Sequence, residues 1–300
     1  MLEGSEEDVT CLSEKMQMCS TSDSNDIHTT TTTTASTITE SLIDSRVFEN
    51  KKKSDIRMKM QTNNIKPINI QEKILFVIDA TTESNATQFE LGRGDKFPPL
   101  FMIKRIVEIF INIKSSINSN HEYCLFILNA NKIQRIHTFM NNTIEFLHYI
   151  DDIEEYENDS QTFDLGNLFN DIDDCFKTTS VNCVNRVIFI YCRSHAIPTF
   201  LTSKLNFDLL MKKQRFFLDI LYIHEHPSEE NNCDAIYSAL NALDVKNSAY
   251  IFEVGRNATR LHDHMVKLVA HPLQRPLQRE SHYSLKAHLA SLHKEPHTSV

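Results

Sequence analysis

The chain has 300 residues, 41% hydrophobic and 24% charged, with a formal net charge of −9. An acidic balance argues against a phosphate-reading surface of clustered Lys and Arg, so no direct nucleic-acid contact is expected, and anionic membrane surfaces are disfavoured too. The seven cysteines, at positions 11, 19, 124, 175, 183, 192 and 233, form no C-x-x-C pair. They read as free thiols of a reducing compartment rather than a disulfide framework.

Residues 1–69 have the composition of a disordered arm, rich in Ser, Thr, Asp and Glu, with a Thr tract from Thr29 to Thr34 and a basic cluster at Lys51, Lys52 and Lys53. The first eight residues, Met1 to Asp8, are acidic and contain no apolar stretch, so no signal peptide is expected. No apolar run approaches the roughly 20 residues of a spanning helix. The expected setting is cytoplasm and nucleus, without membrane contact.

Order begins near Gln71. The run from Lys73 to Asp79 is apolar on both alternating faces and predicts a strand covered by helices on both sides. A polar loop ends at Pro98 and Pro99. Phe101, Ile103, Ile106, Val107, Phe110, Ile111 and Ile113 then follow helical spacing. Tyr123 to Leu128 is a second strand. The turn-like Asn129 to Lys132 returns Ile133 to Phe139 as an antiparallel edge strand. Helices are expected around Ile144 to Ile150 and Phe163 to Ile172, and a third buried strand over Val187 to Tyr191. A short helix over Leu205 to Met211 precedes a fourth strand, Phe216 to Ile223. Ala235 to Leu243 reads as a helix, Ala249 to Val254 as a last strand, and Leu261, Met265, Leu268 and Val269 as a closing helix. Alternating strands and helices mean a doubly wound α/β domain over residues 70–270. Polar residues with Pro272, Pro276 and Pro296 then suggest an exposed tail over 271–300.

In such a sheet, ligands sit at the carboxyl ends of strands near the point where strand order reverses. Asp79, Thr81 and Glu83 lie on the loop after the first strand, and Thr162 opens a later helix. Together they could present oxygens to a hard divalent cation. The set resembles the metal-ion-dependent adhesion site of von Willebrand factor A domains, built on Asp-x-Ser-x-Ser with a Thr from a second loop. It is degenerate: Glu83 stands where the second Ser would be. Cys192, Arg193 and Ser194 stand where that family places Thr-Asp-Gly. A fixed guanidinium opposes a divalent cation, so no metal and no cofactor are expected, and a metal-dependent ligand-binding module is the alternative.

Other candidates are weaker. His224 and His226 flank Glu225 without a third ligand, and His262 and His264 diverge on a helix. Arg93-Gly94-Asp95 and the sequons at Asn85 and Asn257 need an extracellular setting. Cys192 stands at a strand end without a general base, so it reads as a structural thiol. No Gly-rich phosphate loop or nucleophile elbow occurs, and no enzyme is expected. The segment His271, Pro272, Leu273, Gln274, Arg275, Pro276 suits docking. Its two prolines favour extended backbone, and Leu273 and Tyr283 offer apolar anchors.

Lys267 to Pro276, followed by Ser281-His282-Tyr283-Ser284-Leu285, resembles one family: the von Willebrand factor A-like scaffold (MERIT) subunit of the BRISC and BRCA-A deubiquitinase complexes. Ser119 to Tyr123, Phe163 to Phe169 and Phe216 to His224 are similar to it as well. The resemblance spans about residues 70–285. It implies a non-catalytic subunit that stabilises a JAMM-type zinc deubiquitinase and its Abraxas-type pseudo-protease partner. It further implies binding to the UEV-repeat subunit (BRE) through the tail. The implied role is support of polyubiquitin cleavage in the DNA-damage response and in cytokine-receptor signalling.

Overall fold

The computed structural model describes residues 70–281, apart from positions 85, 93, 131, 158, 159, 178, 180 and 181. The expected N-terminal arm, Tyr283, Asn85 of one sequon and Arg93 of the tripeptide lie outside the described residues. Six strands form the main sheet: β1 Glu72–Asp79, β2 Glu122–Asn129, β3 Lys132–Arg135, β4 Val184–Tyr191, β5 Phe216–Ile223 and β6 Ile251–Val254. Their order across the sheet is β3-β2-β1-β4-β5-β6. All neighbours are parallel except β2 and β3, which pair antiparallel from Phe126–Arg135 to Asn129–Lys132. This is the von Willebrand factor A-like doubly wound sheet with one antiparallel edge strand that the sequence leads one to expect.

Strand alternation divides the core. Ile74, Phe76 and Ile78 face helices α1 Pro99–Ile117, α2 Thr143–Asp151 and α6 Ala258–Leu268. Leu75 and Val77 face α3 Leu165–Phe176, α4 Leu205–Lys212 and α5 Cys233–Asn241. Each layer buries the apolar stripe of three helices, which explains why the strands read as continuous rather than alternating runs.

Local chemistry fixes the helix starts. Pro99 sits at the first turn of α1, where its missing N–H costs nothing. The Asn142 side chain caps α2 by accepting from Glu145 N at 3.3 Å. Asn257 caps α6 by accepting from Arg260 N at 2.9 Å, so this sequon's amide serves the fold. The expected edge strand is shorter than its apolar pattern. After Arg135 the chain keeps to β2 through an Ile136 N–H bond to Leu125 O and a bridge between Met140 and Tyr123. Two-residue and three-residue strand pairs, such as Thr81–Thr82 with Tyr156–Glu157, are too short to leave a periodicity in sequence.

Candidate functional site: a strand-end ion pair and a clasped C-terminal segment

Strand order reverses between β1 and β4, so their carboxyl ends form the crevice where ligands bind in such folds. Asp79 ends β1 there and is fully buried. Its carboxylate is taken by Arg193, with Nε 2.9 Å from Oδ2 and Nη2 3.1 Å from Oδ1. Nη2 also donates to Ala130 O at 2.7 Å, and the guanidinium lies over the Phe163 ring at 5.1 Å. Backbone N–H groups of Thr81 and Cys192 approach the same carboxylate at 3.3 and 3.4 Å. The charge a cation would neutralise is met by a fixed positive group with matching fork geometry.

The other adhesion-type positions do other work. Both Glu83 oxygens accept backbone N–H groups, from Ser194 at 2.7 Å and His195 at 2.9 Å. Glu83 is a brace between two loops. Thr81 lies beside Asp79, and its Oγ1 is buried without a protein partner. Thr162 is not brought to this place: it is exposed, on the short pair Thr162–Asp164 with Ile197–Thr199, and does not line the strand-end cavity. Phe163, next to it, supplies the ring under Arg193. The remaining cavity, lined by Asp79, Thr81, Glu83, Leu100, Cys192 and Arg256, measures about 10 Å³, on the order of one water molecule. Among the described residues, no three His, Cys, Asp or Glu side chains converge as metal ligands.

The rim is closed by further braces. Glu225 accepts from Thr87 N at 2.9 Å and pairs with Arg256. His224 stacks on Tyr222, whereas His226 is exposed and its ring meets Pro227 O. On α6, His262 bonds back to Ala258 O and His264 stacks on Phe252, so the two do not converge. The Cys192 thiol donates to Asp79 O at 2.9 Å, and burial pushes its pKa well above the ordinary range. That leaves it protonated and unsuited to nucleophilic attack.

At the opposite end of the sheet lies a buried charge network that the sequence reading passed over. Glu72 of β1 meets Lys114 of α1, and its Oε2 lies 3.2 Å from Arg186 Nη1 of β4. Arg186 Nε donates to Asp219 Oδ2 of β5 at 2.8 Å. Its Nη2 reaches Leu268 O at 2.6 Å, the last residue of α6. Burial opposes the charge on Glu72 and Asp219. The neighbouring Arg186 and Lys114 for Glu72, and Arg275 and Arg186 for Asp219, overcome this and hold both carboxyls below their usual range. A sequence signal existed. Asp219 alone interrupts the apolar run Phe216 to Ile223, and a charge so placed demands a buried counter-charge.

The counter-charge for Asp219 comes from the segment expected to be an exposed tail. Arg275 Nη1 lies 2.8 Å from Asp219 Oδ2 and Nη2 lies 2.5 Å from Oδ1, with the Arg275 side chain 2% exposed. Its guanidinium covers the Tyr250 ring at 4.0 Å. The backbone of 271–275 is a tight turn rather than extended, because His271 O accepts from both Gln274 N and Arg275 N. Pro272 is buried, and Pro276 O accepts from Tyr250 OH at 2.7 Å. Gln278 then uses both ends of its amide on the edge strand, accepting from Ile251 N and donating to Ile251 O, each at 2.7 Å. That mimics one rung of a further strand. Leu273 and Leu277 remain 37% and 38% exposed.

No protein-family model matches the chain. It is similar over most of its length to curated proteins named "BRISC and BRCA1-A complex member 1". With that of Xenopus laevis it shares 31% identity over 229 residues, covering 73% of this chain and 69% of that protein. With that of Homo sapiens it shares 29% over 232 residues, again 73% and 69%. Among solved structures, the SpRpn10 VWA domain matches 71% of this chain and 100% of its own, with TM-score 0.42 and 15% identity. The von Willebrand factor type A from Catenulispora acidiphila matches 68% and 43%, with TM-score 0.40 and 7% identity. At 31% identity over more than two-thirds of both sequences, the Xenopus laevis relative shows the family, and the chain belongs to the BRISC and BRCA1-A complex member 1 family.

Proposed function

We propose that this chain is a non-catalytic scaffold subunit of a JAMM-type deubiquitinase assembly of the BRISC and BRCA-A kind. In this reading it binds the UEV-repeat subunit (BRE) and so stabilises the Abraxas-type pseudo-protease and the zinc deubiquitinase beside it. Zinc and catalysis belong to that other subunit, and polyubiquitin cleavage in the cytoplasm and nucleus is what the assembly performs. The observation that carries the non-catalytic part is the Asp79–Arg193 pair: the crevice is filled by the protein's own guanidinium. The relatives' name supports membership of the complexes.

The proposed docking element is the C-terminal segment from His271 onward. Arg275 and Pro272 are engaged by the domain itself, so their role is to hold the segment, while Leu273 and Leu277 are presented outward. Tyr283 would extend the same contact. Apolar anchors of this kind cost about 2 kcal/mol each on truncation when a partner buries them fully. The test is co-expression with the UEV-repeat subunit, the pseudo-protease and the zinc deubiquitinase. The chain should co-purify with them and raise the assembly's yield, while the isolated chain leaves polyubiquitin uncut. Cleavage by the isolated chain, or failure to co-purify, would overturn the reading.

A further inference from the structure

Two thiols in the second core layer carry no part of this function. Cys124 lies on β2 and Cys175 in the last turn of α3, both buried, with their sulfurs 3.8 Å apart. The other described cysteines turn toward oxygens: Cys183 to Asn185 Oδ1, Cys192 to Asp79 O, Cys233 to Glu225 O. Chance contact of two core cysteines needs no function, yet this pair has directed geometry. The Cys124 thiol also donates to His137 O at 3.2 Å.

We infer that Cys124 and Cys175 form a reversible disulfide under peroxide, stapling α3 to the central sheet. A disulfide has sulfurs about 2.05 Å apart, so they must close by a little under 2 Å. β2 is held between β1 and β3, so the closing movement falls on the last turn of α3. Cys175 is the residue that reacts first. The contact with the Cys124 sulfur lowers its pKa, burial opposes this, and Arg135 and Lys73 add to the lowering. Its thiolate attacks one peroxide oxygen, the O–O bond breaks and hydroxide leaves, giving a sulfenic acid at Cys175. The Cys124 sulfur then displaces the sulfenic oxygen, which departs as water with the Cys124 proton. In sum two thiols and one hydrogen peroxide yield one disulfide and two waters.

The experiment treats the purified full chain with hydrogen peroxide, blocks remaining thiols under denaturing conditions and maps peptides without reduction. The expected product is one peptide pair joined through Cys124 and Cys175, two hydrogens lighter, which dithiothreitol reverses. Its melting temperature should rise by about 10 °C relative to reduced chain, as a cross-link over a 51-residue separation constrains the unfolded chain. In Cys124→Ala, the same treatment should leave Cys175 without a disulfide partner among the described cysteines. Full recovery of both thiols, or cross-linking of either to Cys183, Cys192 or Cys233, overturns the inference. The wild-type map decides this even if the variant folds poorly.

Discussion

Arg275 closes a two-pronged ion pair on Asp219, a carboxylate in the middle of a central strand, from 56 residues downstream. The C-terminal segment is thus part of what lets a charged residue stay inside the sheet. Arg275→Ala would leave Asp219 with Arg186 as its one cationic partner, beside the Tyr250 N–H at 2.8 Å, and should cost about 3 kcal/mol. Thermal denaturation should show a melting temperature lower by about 10 °C. Arg275→Lys should recover little of it, because an ammonium cannot fork onto both carboxylate oxygens or cover the Tyr250 ring.

Asp79 and Arg193 should behave as a coupled unit. Asp79→Leu or Arg193→Met alone strands a buried charge and should destabilise by about 3–5 kcal/mol. The double variant should be more stable than either single one. A double-mutant cycle by chemical denaturation reads this coupling, and additivity of the two losses would refute it. Magnesium, manganese and EDTA should leave the wild-type melting temperature unchanged, since a bound cation would raise it by linkage.

Stability should fall on mild acidification. Burial, then Lys114, lowers His121 to about 4, and burial lowers His264 to about 4 as well. Burial also lowers His271. Unfolded, these rings titrate near 6.5. Below that pH the unfolded state binds more protons than the native one, so their contribution is complete above about 6.5 and declines toward about 4. Glu72 and Asp219, both held low, add a second loss below the usual carboxylate range. Denaturation midpoints should stay level from pH 8 to about 6.5 and then drop toward about 4. A flat profile would mean these groups keep their unfolded values.

Gly166→Ala should destabilise by about 1–3 kcal/mol through crowding. An added Cβ would lie 2.2 Å from Thr202 Oγ1 and 2.9 Å from Ser203 O. The loop cannot yield freely, because Asp164 holds Leu201 N, Thr202 N and Thr202 Oγ1. Thermal melting checks this, and an unchanged midpoint would contradict the tight approach.

The order of strands and helices was legible because both faces of each central strand are buried, which leaves apolar runs that composition alone exposes. Asp79 was legible for the same reason, as the polar residue that ends such a run. Thr162 was misplaced because its role depended on a loop path that no local pattern encodes. Arg275 was read as outward-facing for a related cause. A polar, Pro-containing stretch looks solvated in sequence, and its partner Asp219 is visible only once β5 and the turn at His271 are brought together in space. Asp219 shows the converse: a lone charge inside the apolar run Phe216 to Ile223 was the signal, and pairing it with Arg186 required the fold.

The most direct test of the scaffold account is capture of the UEV-repeat subunit by the full chain, compared with a Leu273→Asp/Leu277→Asp double variant, each with and without EDTA. Truncation at Ala270 is the wrong tool, because it removes Arg275 and unbalances the core. The account predicts capture by the wild type, indifferent to EDTA, and at least a tenfold loss in the double variant with its melting temperature retained. Capture that survives the double substitution and disappears in EDTA would contradict it and place recognition at the Asp79 strand end.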